Sequence, residues 1–175
     1  MGVVVVGVVG ALDADEMAPV STRDPSHPFV KRLEARYDAL LKAERWGDIA
    51  AYKKLRTKER MAAIDAHLKT LDPPEDLRSK LRALASFQQD HRQYRLLSCD
   101  ARGDRARLSY IRDSDLPHVS SEPRVEFLII MFQREDGAWR IGPIKHASTP
   151  RVDEDGRAAT LSEFLEGDQR FLLEP

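Results

Sequence analysis

The feature that most constrains the fold is the segment 125–141, which has the pattern of a β-hairpin. Residues 125–132 are almost entirely Val, Ile, Leu, Met and Phe, and Glu126 is the only charged residue among them. Asp136-Gly137 then separates this run from a second apolar stretch, and Asp-Gly is a strong hairpin signal because the tight turn needs positive φ. We expect a strand covered on both faces, a tight turn and a return strand.

Upstream of this hairpin, apolar residues recur at three- and four-residue spacing, which is typical of helices packed on a core. A first helix is expected from Phe29, ending at Gly47, with Asp48 capping a second helix whose apolar spacing resumes over 61–71. Asp72-Pro73 is expected to start a third helix, because Asp suits the N-cap and Pro the first helical position.

From Tyr94 onward the apolar residues alternate, which indicates strands. The turn at Gly103 predicts another hairpin, and Gly142-Pro143 predicts a bulge or a bend in the last strand. Helices followed by consecutive hairpins define an α+β fold, with N-terminal helices packed on a curved antiparallel sheet.

The chain of 175 residues is expected to contain one folded domain. We divide it into an apolar N-terminal segment at 1–14, a linker at 15–28, the domain at 29–150 and a tail with a short helix at 151–175. The first segment has the length of a secretory signal core but no basic residue before it. We favour an exported or periplasmic protein, and the alternative is a buried valine-rich strand in a cytoplasmic one.

The bulk composition argues against several classes of function. With 28 basic and 29 acidic residues, the chain lacks the excess positive charge of a nucleic-acid-binding protein. One cysteine, Cys99, cannot form an internal disulfide and is expected to be a small buried residue. The 5 histidines are scattered without metal-ligand spacing, and no glycine-rich phosphate loop is present. We therefore predict no metal, no cofactor and no transmembrane span.

Three features together resemble the nuclear-transport-factor-2-like superfamily. They are the helix break Lys42-Ala43-Glu44-Arg45-Trp46-Gly47-Asp48, the order of two hairpins after the helices, and the turn and strand Asp136-Gly137-Ala138-Trp139-Arg140-Ile141. The resemblance covers about 29–148. It implies a cone-shaped fold, with a cavity between a curved sheet and the helices, but no particular reaction, because ketosteroid isomerase and many unrelated proteins share this fold.

The fold signals, together with the lack of a convergent catalytic set, favour a binding protein over an enzyme. We expect a small apolar molecule in the cavity, without catalysis, and the residues predicted to contact it are Tyr37, Tyr110, Phe127, Ile129 and His146. A second expectation within the same class is that the sheet serves as a surface for a protein partner or for a homodimer.

Catalysis remains an alternative, as a small isomerase, dehydratase or cyclase that uses Glu126 or His146 with a tyrosine. A carboxylate on the concave face would have a raised pKa suited to general base catalysis. We favour instead a solvated Glu126 at the start of its strand, beside Arg124, and a half-exposed His146 at a strand end.

The segment 53–60 suggests a third hypothesis, because it carries five basic side chains and one acidic one. A basic helix of this kind could bind an acidic partner, although such a cluster of charges more commonly forms a solvated helix face. The two tryptophans, Trp46 and Trp139, are both expected in the core.

Overall fold

The computed structural model describes residues 19–71, 75–86, 89–114 and 124–150. The elements are β1 (Val20–Thr22), α1 (Pro28–Trp46), α2 (Ile49–Leu55), α3 (Lys58–Thr70), α4 (Leu77–Ala85), a 3-10 turn (His91–Gln93), β2 (Arg95–Arg102), β3 (Arg105–Ser114), β4 (Arg124–Glu135) and β5 (Ala138–Pro150). The predicted α+β class is confirmed: within the described residues, four helices precede the main strands of a five-stranded antiparallel sheet, and α1, α2 and α3 contact it.

The first helix break forms where the sequence predicts it. Gly47 ends α1 with φ of 64°, and its backbone N–H is shared between the carbonyls of Ala43 and Glu44. Asp48 then accepts a hydrogen bond from the N–H of Ala51 at 2.9 Å and so caps α2. The change of direction at this point lets α1 and α2 both pack on the core.

The later helix boundaries differ from the prediction. A second break separates α2 from α3, because the N–H of Thr57 bonds to the Ile141 carbonyl of β5 at 3.1 Å and its hydroxyl caps α3. Helix α4 begins at Leu77 with Asp76 as its N-cap, so the expected start at Asp72-Pro73 is wrong. The side chain of Asp76 accepts the N–H of Ser79 at 2.8 Å; residues 72–74 lie outside the described residues.

The strands pair in chain order, β1-β2-β3-β4-β5. The tight turn between β4 and β5 is confirmed by φ values of 52° at Asp136 and 76° at Gly137. The predicted bulge is also present, since the pairing of β4 with β5 shifts by one residue opposite Gly142-Pro143. The sheet is not strongly curled, which departs from the curvature that the resemblance implies.

Strand β1 lies inside the segment predicted as a linker. Val20 pairs with Ala101 and Thr22 with Cys99, so three residues of 15–28 add an edge strand to the sheet. Three residues are too short for an alternating apolar pattern to be recognised. The hydroxyl of Ser21 also donates to Asp100 at 2.8 Å, which fixes β1 against β2.

The core lies between the helices and one face of the sheet. Side chains of alternate residues along β4 face the helices, and those of the residues between them face away. The residues 125–132 are buried on both faces, as predicted. On the helix side, the members of the core from the last three strands are Ala106, Leu108, Tyr110, Leu128, Ile130, Phe132, Trp139 and Ile141.

The two tryptophans have different environments. Trp139 is buried and meets the ring of Phe29 edge to face, with centroids 5.6 Å apart, as expected of a core residue. Trp46 is 75% exposed, so its expected place in the core is wrong. It follows Ala39 and Lys42 along α1 in an exposed row, whereas the buried row runs through Tyr37, Leu41 and Glu44.

Candidate functional site

A cavity of about 540 Å³ lies between the helices and β5. Its size falls within the range of small-molecule sites, roughly 300–1,000 Å³. The residues that line it are Tyr37, Leu41, Glu44, Tyr52, Arg56, Arg60, Ala63, Ile64, His67, Leu68, Leu77, Lys80, Leu84, Gln89, Ile144 and His146.

Helical spacing explains why these residues share one space. Helix α4 presents Leu77, Lys80 and Leu84 at intervals of three and four residues, which places them on one face. Helices α1 and α3 each contribute a row with the same periodicity, and β5 closes the cavity with Ile144 and His146. Of the 16 lining residues, seven are aliphatic and two are tyrosines, so apolar and polar side chains share the wall.

A buried ion pair forms part of the cavity wall. The Arg56 guanidinium lies 3.6 Å from the Glu44 carboxylate, and both side chains are buried. Arg56 also donates to the Gly142 carbonyl at 2.8 Å and to the Tyr52 hydroxyl at 3.1 Å. These contacts fix Arg56 as a structural group that ties the break after α2 to the bulge in β5.

Tyr37 places a neutral phenol on the cavity wall. Its hydroxyl donates to the Gln89 carbonyl at 2.9 Å. Burial, reinforced by the negative charge of Glu44, raises the pKa of Tyr37 well above its ordinary value. The phenol is therefore protonated throughout the physiological range.

A polar cluster surrounds Glu126 beside the cavity. One carboxylate oxygen, Oε2, accepts hydrogen bonds from Arg112 at 2.7 and 3.0 Å and from the Tyr94 hydroxyl at 3.0 Å. The same oxygen lies 3.2 Å from Nε2 of His146. The Arg112 guanidinium stacks 4.5 Å above the Tyr94 ring, so the four side chains form one connected group.

The cluster corrects the favoured interpretation of Glu126. We expected a solvated carboxylate beside Arg124, but Glu126 is buried and its cation is Arg112. Arg124 bonds instead to Ser148 on β5. The register between β3 and β4 is the reason, because it places Arg112 on β3 directly opposite Glu126 on β4.

The sequence patterns selected neither Arg112 nor Tyr94 as a site residue. Tyr94 stands just before β2, where alternation with Leu96 turns it toward the helix side. The alternating pattern from Tyr94 onward was the available signal, but its partner lies on a strand 32 residues away. Burial, together with its bond to Glu126, raises the pKa of Tyr94 above its ordinary value.

The structure divides the five predicted ligand contacts among three places. Tyr37 and His146 line the same cavity; the His146 side chain is 35% exposed, but the residue lies inside β5, paired with Leu128, and not at the strand end where it was expected. Tyr110 lines a separate pocket of about 380 Å³. Phe127 and Ile129 alternate with Leu128 and therefore project from the opposite face of the sheet.

The second pocket contains a buried histidine between two acids. Nε2 of His91 lies 4.0 Å from Glu34 and its Nδ1 lies 3.7 Å from Asp38. The Tyr110 hydroxyl donates to Glu34 at 3.1 Å. Burial, with the adjacent negative charge of Glu34, raises the pKa of Tyr110.

The five basic residues of 53–60 do not share one helix. Lys53 and Lys54 lie in the last turn of α2, Arg56 is buried at the break, and Lys58 begins α3. The Lys58 ammonium lies 3.2 Å from Asp136 in the β4–β5 turn. A continuous basic helix face, which the third hypothesis needs, is not what this segment forms.

Comparison with protein-family models gives no match to this chain, and no curated protein matches its sequence. Within the described ranges, no three His, Cys or acidic residues are grouped to hold a metal ion. None of the helices in those ranges is long and apolar enough to cross a membrane. The class defined by fold and site is thus an α+β protein with a cavity between its helices and its sheet.

Proposed function

We propose that the protein binds a small, largely apolar ligand in the cavity between its helices and β5, without transforming it. The observation that carries this proposal is the cavity itself, about 540 Å³ in volume and lined by leucines and isoleucines from α1, α3, α4 and β5. The cavity opens to solvent where Arg60, Ala63 and His67 are exposed, so a ligand can enter it, and its volume suits a small molecule.

The polar groups of the wall support the same proposal. Arg56 and Glu44 neutralise each other, and the Tyr37 hydroxyl is already bonded to Gln89. An apolar ligand can therefore enter without stripping these groups of their partners, which would cost about 1–3 kcal/mol for each group.

The sheet face that points away from the helices is a weaker candidate for a binding surface, as in a homodimer, than the cavity is. Phe127 and Ile129 on that face are 1% exposed within a single chain. Side chains already buried in this way cannot bury further apolar area against a second copy. The cavity is the better candidate for the binding surface.

We also propose, as the finer class, a divergent member of the nuclear-transport-factor-2-like superfamily. The support is the set of helices packed on one face of an antiparallel sheet around a cavity. The weak curl of the sheet is the main departure. Export remains a further proposal from the apolar segment 1–14, which lies outside the described residues.

A pair of substitutions on α3 tests the ligand proposal. Ala63 and Ala66 are both exposed on α3, but only Ala63 lines the cavity. The neutral fluorescent probe N-phenylnaphthylamine should brighten when added to the protein, should bind at least about tenfold more weakly to A63F, and should bind normally to A66F. Absence of binding to the unaltered protein, or equal losses in both variants, would contradict the proposal.

A specific observation favours a second candidate function, proton transfer by an enzyme. His146 lines the cavity while its Nε2 contacts the buried Glu126, an arrangement in which a carboxylate orients an imidazole. Such a histidine can act as a general base toward a ligand in the cavity. Tyr94 and Arg112 hold the carboxylate in place.

Proton exchange in D2O tests this candidate without a known substrate. If His146 is a base, the protein should accelerate deuterium incorporation next to the carbonyl of methyl hexyl ketone, followed by NMR. The variant H146Q should lose the acceleration, while H67Q, which alters another histidine of the cavity wall, should keep it. Exchange no faster than in buffer would rule out catalysis of this kind.

A further inference from the structure

The charged side chains around the cavity are unevenly balanced. Among the described residues, Glu44 is the only carboxylate that lines it, and that carboxylate faces Arg56. Two further cations, Arg60 on α3 and Lys80 on α4, also line the cavity. Within the described part of the chain, neither of these two side chains forms a salt bridge or a hydrogen bond.

Arg60 and Lys80 differ from Arg56 in what they can offer a ligand. Arg56 donates hydrogen bonds to Tyr52 and Gly142, and its charge is paired with Glu44. Few of its N–H donors therefore remain for a ligand. Arg60 is exposed and Lys80 half-buried, which places both where the cavity meets solvent. A charged group held at such an opening keeps part of its hydration and avoids the cost of full burial.

We propose that the ligand is an amphipathic anion, with one carboxylate or phosphate held by Arg60 and Lys80 and an apolar body packed among Leu68, Leu77 and Leu84. This inference rests on the proposed function and specifies its ligand class. Arginine binds a carboxylate or phosphate through two parallel N–H bonds, and lysine adds a point charge.

The apolar part of the site complements the charged part. Leu77 and Leu84 precede and follow Lys80 on the same face of α4, and Leu68 lies on α3 beyond Arg60. A ligand anchored at the two cations would therefore meet leucine side chains as it enters. Each buried methylene of its body would contribute roughly 0.8 kcal/mol by leaving water.

A matched series of eight-carbon probes tests the ligand class by titration calorimetry. Octanoate and octyl phosphate carry the proposed head groups, octanol is neutral and octylamine is cationic. We expect at least one of the two anions to bind about tenfold more tightly than octanol, and octylamine to bind most weakly, because charged hydrogen bonds are stronger than neutral ones. Raising the salt concentration should weaken the anions and leave octanol unchanged. The comparison between the two anions distinguishes carboxylate from phosphate recognition.

Substitutions locate the head group. R60Q and K80Q should each weaken binding of the preferred anion severalfold, without altering the affinity for octanol. The controls K69Q on α3 and R82Q on α4 remove exposed cations of the same helices that do not line the cavity, and they should have no effect. Equal losses in the controls would show a general effect of net charge and would overturn the proposal.

The outcomes separate this inference from the proposed function. If octanol and both anions bind equally well, the cavity binds ligands but the assignment of an anionic class is wrong. If none of the four probes and no N-phenylnaphthylamine binds, both the proposed function and this inference are wrong. Tighter anion binding that depends on Arg60 and Lys80 supports both.

Discussion

Glu126 shows how a single residue links the strands to the candidate site. Its carboxylate accepts from Arg112 and Tyr94 and contacts His146, so groups from β3, β5 and the start of β2 meet at one oxygen. The sequence indicated that Glu126 was unusual, because it interrupts an apolar run. It did not indicate the partners, because the cross-strand register brings them together from distant positions.

Replacing this carboxylate should destabilise the fold. In E126Q the Arg112 guanidinium loses its buried counter-charge, and removing one partner of a buried pair costs about 3–5 kcal/mol. Since the Arg112 side chain is 24% exposed and water can partly replace the pair, we expect a loss of about 2–3 kcal/mol in the free energy of unfolding.

Urea denaturation measures this change. The control is E59Q, which neutralises an exposed carboxylate in the first turn of α3. If the two variants lose equal stability, the Glu126 cluster contributes nothing specific, and the account of this residue is wrong.

At the scale of elements, sequence reasoning succeeded where a local signal decides the structure. Gly47 ends α1, Asp48 caps α2, and Asp136-Gly137 forms the β4–β5 turn, because each depends on the chemistry of neighbouring residues. It failed at the break before α3, where the N–H of Thr57 bonds to β5. That bond joins residues far apart in sequence, and no local pattern predicts it.

Gly47 permits a test of the first helix break. An added Cβ at this position would approach the Arg78 side chain no closer than 3.7 Å, so space is not limiting and the cost arises from φ of 64°. We expect G47A to lower the free energy of unfolding by about 1 kcal/mol, and G47N to lower it less, because Asn tolerates the left-handed conformation.

Thermal and urea denaturation of the two variants give the comparison. An alanine variant as stable as the original protein would show that Gly47 does not need its left-handed conformation. The break between α1 and α2 would then have another cause.

At the scale of the whole molecule, the order of helices and hairpins predicted the α+β class, and the resemblance implied a cavity between helices and sheet. The residues around the cavity were harder to assign. Tyr37 and His146 line it, but Phe127 and Ile129 lie on the opposite face, because alternation along β4 gives neighbouring residues opposite directions. The lining from α3 and α4 was not predicted, since their helical patterns do not reveal which face meets the sheet.

The central claim is that a ligand occupies this cavity, and methyl NMR of isoleucine-labelled protein tests it most directly. Ile64 and Ile144 both line the cavity, whereas Ile129 lies on the opposite face of the sheet. Titration with octanoate should shift the methyl resonances of Ile64 and Ile144 in a saturable way and leave that of Ile129 unchanged. No shift at Ile64 and Ile144, or a shift confined to Ile129, would contradict the account.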